Sequence, residues 1–266
     1  MQINRLIKQA RKQSKFLIGG MRPSAISGRS IGPKVLVNSV PKAGTNLLQE
    51  LVTLLPLMRG KITRTLSLTN GVDQLLSKLE TIKKGECAPG HIFFDPSVEE
   101  TIKENGIRHI LIVRDFRDVV YSNIKYLDSI HTDHPHNKYF STLATMDEKI
   151  EACLSGNVDI NMRPLPDLIR HYRPWMDSKE ILIIRYENLV SKHVQIAETE
   201  IQKIVSFLGI TSSVCLADVR TKMFNVKGLT FNAPGVEKWR TNFNKEQIEK
   251  LNRVLGDELE YFGYFV

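Results

Sequence analysis

The stretch from Val35 to Leu55, VLVNSVPKAGTNLLQELVTLL, constrains this chain more than any other. Val35, Leu36 and Val37 form a short apolar run of strong β preference, which predicts a buried strand ending near Ser39 or Val40. Pro41 stops that strand and Gly44 permits a tight turn. From Thr45 onward, Leu47, Leu48, Leu51, Leu54 and Leu55 recur at three- and four-residue intervals, the spacing of an amphipathic helix. A strand, a small-residue turn carrying Lys42 and a helix N-terminus make an anion site, because the first N–H groups of the helix lack intrahelical acceptors and the dipole favours negative charge. Lys42 adds a full charge and Thr45 a hydroxyl. Many strand-turn-helix junctions bind nothing, so the turn is read here as a candidate phosphate cradle. A Walker loop, G-x-x-x-x-G-K-[ST] after a strand, is not among its features. The nearest look-alikes, Gly28 to Lys34 and Gly60-Lys61-Ile62-Thr63, lack the spacing, so ATP or GTP hydrolysis at a P-loop is not expected.

The 266 residues have room for one large α/β domain or two small ones. No apolar run approaches the ~18 residues of a membrane span. Cys87, Cys153 and Cys215 are odd in number and widely spaced, which argues against a disulfide framework or a cysteine-rich zinc site and suits a reducing compartment. The net charge of +8 suggests a nucleic-acid partner until it is located. Residues 1–34 hold eight cations and no acid, so the rest of the chain is neutral. The basicity belongs to an N-terminal arm, and no nucleic acid is expected. With Ile3, Leu6, Ile7 and Ala10 among its cations, residues 1–20 suit peripheral contact with an anionic membrane, a targeting segment or a solvated tail. A cytoplasmic protein is expected, with that membrane contact left open.

Further along, helices are predicted from Thr69 to Lys84, from Asp95 to Asn105 and from Asp115 to about Leu127. Ala88 to Phe94 reads as a turn leading into a short apolar run, the second strand, and Arg108–Val113 as the third. Residues 128–141 read as a loop, Met146–Leu154 and Pro164–Met176 as helices, and Glu180–Arg185 as a fourth strand. Ile196–Leu208 reads as a helix, 221–243 as an irregular segment and Asn244–Phe262 as a terminal helix. Strands separated by helices predict one α/β domain over 35–266, following the arm at 1–34, with a central parallel sheet flanked by helices on both faces. Ligands of such sheets sit beyond the C-terminal strand ends. Lys42 and Thr45, His91 and Arg114 all fall there.

Pro41-Lys42-Ala43-Gly44-Thr45-Asn46-Leu47-Leu48 resembles the first motif, P-K-[SA]-G-T-[TN]-x-[LF], of sulfotransferases that use 3′-phosphoadenosine 5′-phosphosulfate (PAPS). The second motif, an Arg at a strand end with a Ser eight residues on, is similar to Arg114 through Ser122. Tyr186-Glu187-Asn188-Leu189 and the Ile201–Gly209 helix resemble the family's Y-E-D-L segment, and Gly90-His91 matches a histidine between the motifs. The resemblance spans residues 35 to about 243 and implies the P-loop-NTPase-like sulfotransferase fold. It implies that Lys42, Ala43, Gly44, Thr45, Asn46 and Leu47 hold the 5′-phosphosulfate and that Arg114 and Ser122 hold the 3′-phosphate. Tyr186 would lie against the adenosine. Lys42, His91 and Ser122 are then the catalytic residues, with Lys42 on the leaving phosphate and His91 as general base. No metal is required, the acceptor is a small molecule, lipid or carbohydrate, and adenosine 3′,5′-bisphosphate (PAP) is the product.

The chain departs from the family in three places. The basic R-K-G-x-x-G-x-W segment is not reproduced before Trp239, which leaves Lys227, Lys238 or Arg240 to compensate. Leu47 replaces a frequent Trp, so base stacking falls to Phe224 or Phe231. Phe116 replaces a common Pro. Blander readings stand beside the sites: His91 as a core histidine, Arg114 as the partner of Asp118, Tyr186 as packing. His131, His134 and His136 are read as solvated or acceptor-facing, without a fourth metal ligand. The rival functions are a nucleotide-dependent kinase, which needs Mg²⁺ ligands not found here, and a non-catalytic nucleotide or membrane binder.

Overall fold

The computed structural model describes residues 32–130, 134–224 and 235–265. Most of the N-terminal arm, together with Lys227, Phe231 and His131, lies outside the described residues. Six strands form one parallel sheet: β1 (Lys34–Ser39), β2 (Gly60–Lys61), β3 (Leu66–Ser67), β4 (Glu86–His91), β5 (Ile107–Val113) and β6 (Leu182–Arg185). Their order is β2-β4-β1-β5-β6, with β3 also paired to β4. β1 is central, in register with β4 (Val37 opposite Pro89) and β5 (Val37 opposite Ile110).

The two-residue alternation of the strands sorts the core into two layers. Val35 and Val37 of β1 and Ile110 and Ile112 of β5 pack with helices α1 (Thr45–Leu54) and α6 (Val194–Phe207). Leu36, Leu111 and Val113 face the other way. That second layer is built from α2 (Val72–Glu80), α3 (Pro96–Glu104), α4 (Phe116–Lys125), α5 (Met146–Ser155) and α7 (Lys245–Tyr261). The fold class read from the sequence is therefore the observed one. Among the described residues, no helix is long and apolar enough to cross a membrane.

Several boundaries differ from expectation. The second long strand is Glu86–His91, so the segment from Ala88 read as a turn belongs to the strand, and the apolar run to Phe94 read as the strand lies beyond its end. Pro89 lies within the strand, opposite the gap between β2 and β3, where that edge of β4 has no ladder to interrupt. Strands β2 and β3 are too short to carry a periodic signal. The predicted helix Pro164–Met176 is two short ones, Leu165–Arg170 and Arg173–Asp177. The expected 128–141 loop contains part of a π turn, Tyr126–Ile130, and a helical turn, Asn137–Phe140. The irregular 221–243 stretch ends in a short helix, Lys238–Asn242.

His109 is an unusual core residue. It is 1% exposed on β5 with the Trp175 ring edge-on at 4.6 Å, and neither ring nitrogen has a hydrogen-bond partner among the described residues. Burial drives its pKa down to about 3. The unfolded chain, with His near 6.5, binds one more proton between those values, so stability is full above pH 6.5 and falls as the pH drops towards 3. His109→Leu should remove this dependence. In urea titrations, its stability advantage over the wild type should grow by about 2–3 kcal/mol between pH 7 and pH 4.5. Parallel pH profiles would contradict this.

Candidate active site

The geometry begins with Asn38, fully buried near the end of β1. Its side-chain carbonyl accepts from the N–H groups of Ser39 (3.0 Å) and Ile92 (2.8 Å), and its amide donates to the Ile92 carbonyl (2.9 Å). The Trp175 indole donates to the same carbonyl at 3.1 Å. The exit of β4 is thereby pinned to the exit of β1, and His91 Nδ1 lies 2.9 Å from the Ser39 carbonyl. A carbonyl only accepts, so Nδ1 carries the proton and Nε2 keeps its lone pair. Burial, the larger effect, and the charge of Lys42 hold the His91 pKa below its usual value against the Ser39 bond. Asn38 escaped the sequence reading; a polar residue inside an apolar strand was its only local signal.

The turn after β1 is tightly specified. Lys42 has φ 72° and Gly44 φ 116°, both left-handed. A side chain at Gly44 would meet the Tyr186 ring at 2.7 Å, so only glycine lets the turn sit on that ring. Ala43 is fully buried and its N–H is used on the Val40 carbonyl (3.1 Å), so it builds the turn and does not line the cavity. The first helical hydrogen bond of α1 runs from Leu48 N–H to the Gly44 carbonyl, and no acidic residue occupies the first turn. The N–H groups ahead of that bond are the helix's outward-facing donors. The Thr45 hydroxyl shares a short hydrogen bond with that of Ser39.

Arg114, at the end of β5, is 8% exposed. It donates to the carbonyls of Lys42 (3.2 Å) and Gly235 (3.0 Å), lies 3.6 Å from Asp118 and stacks 4.2 Å above the Tyr186 ring. Its Nε has no hydrogen-bond partner among the described residues. The Lys42 ammonium lies 3.5 Å over the ring of Tyr126, the first residue of the π turn. Burial, and then the charge of Arg114, lower the Lys42 pKa to about 8.

These groups share one cavity of about 610 Å³. Lys42, Gly44, Thr45, Asn46, Leu47, His91, Arg114, Ser122 and Tyr186 line it, so nine of the expected positions are brought together. Lys238, one of the three cations left to compensate for the basic segment, and His134, read as solvated or acceptor-facing, also line it, as do Lys125 and Tyr126, which were not assigned to the site from sequence. Arg240, expected at the cofactor, does not line it: it pairs with Glu237 (2.9 Å) and stacks on Trp239 (4.2 Å), bordering a separate depression beside Arg117 and Tyr264. Phe224 packs against the layer of α1 and α6, away from the cavity lining. Phe231 lies outside the described residues. His134 sits edge-on to Tyr126 at 5.6 Å, and no metal-holding group of residues occurs among the described ones. Two cations kept this close and this dry predict one lysine that titrates near pH 8. Nζ-directed NMR or competitive acetylation should find it in the wild type and lose it in Lys42→Ala, and Arg114→Gln should raise its pKa. A Lys42 value above about 10 would contradict the geometry.

Comparison with known proteins gives the same architecture. By structure the chain is similar to mouse sulfotransferase SULT7A1 complexed with PAP, at TM-score 0.62 and 21% identity over 85% of this chain and 84% of that one. It is also similar to retinol dehydratase in complex with androsterone and inactive cofactor PAP (TM-score 0.58, 14% identity, 85% and 80% covered). The retinol dehydratase complex with retinol and PAP gives TM-score 0.56 and 14% identity, with 87% and 82% covered. No curated protein matches the sequence. The family model described as the sulfotransferase domain matches residues 32–263, so the chain belongs to the sulfotransferase-domain family.

Proposed function

We propose that this enzyme transfers the sulfuryl group of PAPS to a hydroxyl or amine of a small-molecule, lipid or carbohydrate acceptor. The observation that carries the reading is the meeting of Lys42, His91 and Arg114 in one cavity at the N-terminus of α1. Further support comes from similar structures that are described with PAP.

In this reading the 5′-phosphate sits at the first turn of α1 and the 3′-phosphate at Arg114 and Ser122. His91 Nε2 accepts the proton of the attacking hydroxyl as the new S–O bond forms. The bond from sulfur to the bridging phosphate oxygen breaks, and its electron pair stays on that oxygen as PAP leaves. Charge develops there, and the Lys42 ammonium and the helix N–H groups stabilise it more in the transition state than in the ground state. The Ser39 carbonyl holds His91 in the tautomer with Nε2 free, which is the form a base requires.

The two lowered pKa values set a pH window. kcat/KM should rise as His91 loses its proton, below the ordinary histidine range, and fall as Lys42 loses its proton near pH 8. Lys42→Arg should abolish the falling limb, and His91→Ala should abolish the rising one while cutting turnover on the order of a hundred- to ten-thousand-fold. Full turnover in His91→Ala would remove the mechanism.

Ligand-induced stabilisation separates this reading from a kinase. PAP at ~100 Kd, without Mg²⁺, should raise the melting temperature by about 5–10 °C. A larger shift with ATP–Mg²⁺ would favour phosphoryl transfer.

A further inference from the structure

A lysine carries its charge on a long, flexible stem, so an ammonium that must meet one developing charge needs something to hold it in place. Among the described residues that line the cavity there is no carboxylate to do so: the charged and titratable groups facing Lys42 are His91, Arg114, Lys125, His134 and Lys238. A carboxylate would fix the ammonium but also cancel the charge that a leaving phosphate requires. An aromatic face fixes it and leaves the charge in place.

We infer that Tyr126 is a positioning residue for the transfer: its ring face holds the Lys42 ammonium so that the cation meets the bridging oxygen as negative charge develops there. This rests on the PAPS reading. The ammonium lies 3.5 Å over the ring centroid, and both groups line the cavity. Burial holds the Tyr126 phenol above its ordinary pKa, so the ring acts as a neutral face and not as an anion. The ring is itself fixed by the chain around it. α4 ends at Lys125, and the Tyr126 N–H still donates to the Ser122 and Asn123 carbonyls. From Tyr126 to Ile130 the helix widens into the π turn, a departure from α geometry that is frequent at functional sites. Leu127 is buried, and its carbonyl accepts the Asn137 amide at 2.6 Å. Asp128, the carboxylate of the turn, is engaged by Lys149 of α5 at 2.8 Å, which ties the turn down and leaves Lys42 to the ring. His134 meets the ring edge-on at 5.6 Å.

Cleavage of PAPS by the full chain with water as the acceptor tests this without a known acceptor. The water oxygen bonds to sulfur, and the bond from sulfur to the bridging oxygen breaks with its electron pair kept by PAP. His91 Nε2 takes one proton, which leaves PAP and hydrogensulfate. Tyr126→Leu keeps the apolar bulk and removes the ring face. It should slow cleavage at saturating PAPS by about threefold to thirtyfold, the range expected of a cation on a ring. PAP affinity, by isothermal titration, should change less than the rate, because the charge on the bridging oxygen develops in the transition state. Tyr126→Phe should recover most of the loss. In the unliganded chain, Nζ-directed NMR should find the Lys42 pKa lowered from about 8 in Tyr126→Leu and restored in Tyr126→Phe. An unchanged rate in Tyr126→Leu, an equal loss in both variants, or an unmoved Lys42 pKa overturns the assignment, and a wild type that still binds PAP keeps the donor reading. A wild type that neither binds PAP nor cleaves PAPS overturns the donor reading and the transfer role with it, and the Lys42 titration then reports on the ring contact alone.

Discussion

One guanidinium ties the site together. Arg114 stands at the end of β5 and donates to a carbonyl on each of two other segments, Lys42 in the turn after β1 and Gly235 ahead of the last two helices. It does so while stacked on Tyr186, the residue that follows β6. Four parts of the chain far apart in sequence are thereby held at one edge of the sheet. Arg suits this task better than Lys, because its planar fork places several donors in fixed directions and its face stacks on an aromatic ring. Replacing it would release the turn and the C-terminal segment together.

The same arrangement explains the electrostatics of the cavity. Lys42 is partly desolvated beside a second cation, with the face of Tyr126 in place of a carboxylate as its partner on the cavity side. A ring face offers a cation far less than an ion pair does. The site is thus poised for an anion, which would relieve the repulsion between Lys42 and Arg114 and supply the missing countercharge. His91 is kept neutral by burial and by the neighbouring ammonium, so base and electrophilic cation coexist in their working protonation states near neutral pH.

Much of this was legible in the sequence because the strands are continuous apolar runs and the main helices are amphipathic. Once β1, β4 and β5 are parallel neighbours, the rule that ligands sit beyond C-terminal strand ends brings Lys42, His91 and Arg114 together without further information. What stayed hidden was non-local or depended on a single residue's direction. Asn38 reaches across 54 positions to Ile92, a contact no window of sequence contains. Ala43 and Lys42 are neighbours in one turn, yet the first faces the core and the second the cavity. Lys238 and Arg240 sit two residues apart and diverge, because a helical turn rotates them to opposite sides of Trp239. Pro89 within β4 reads as a strand breaker until the gap in its neighbouring edge is seen.

The central claim is that one cavity grips both ends of a doubly phosphorylated adenosine. A crystal structure of the complex with PAP tests it most directly. The 5′-phosphate should lie against the first turn of α1 and Lys42, with the 3′-phosphate on the Arg114 guanidinium and His91 facing the open side of the 5′-phosphate. A nucleotide bound outside this cavity, or bound with its two phosphates exchanged, would contradict the account.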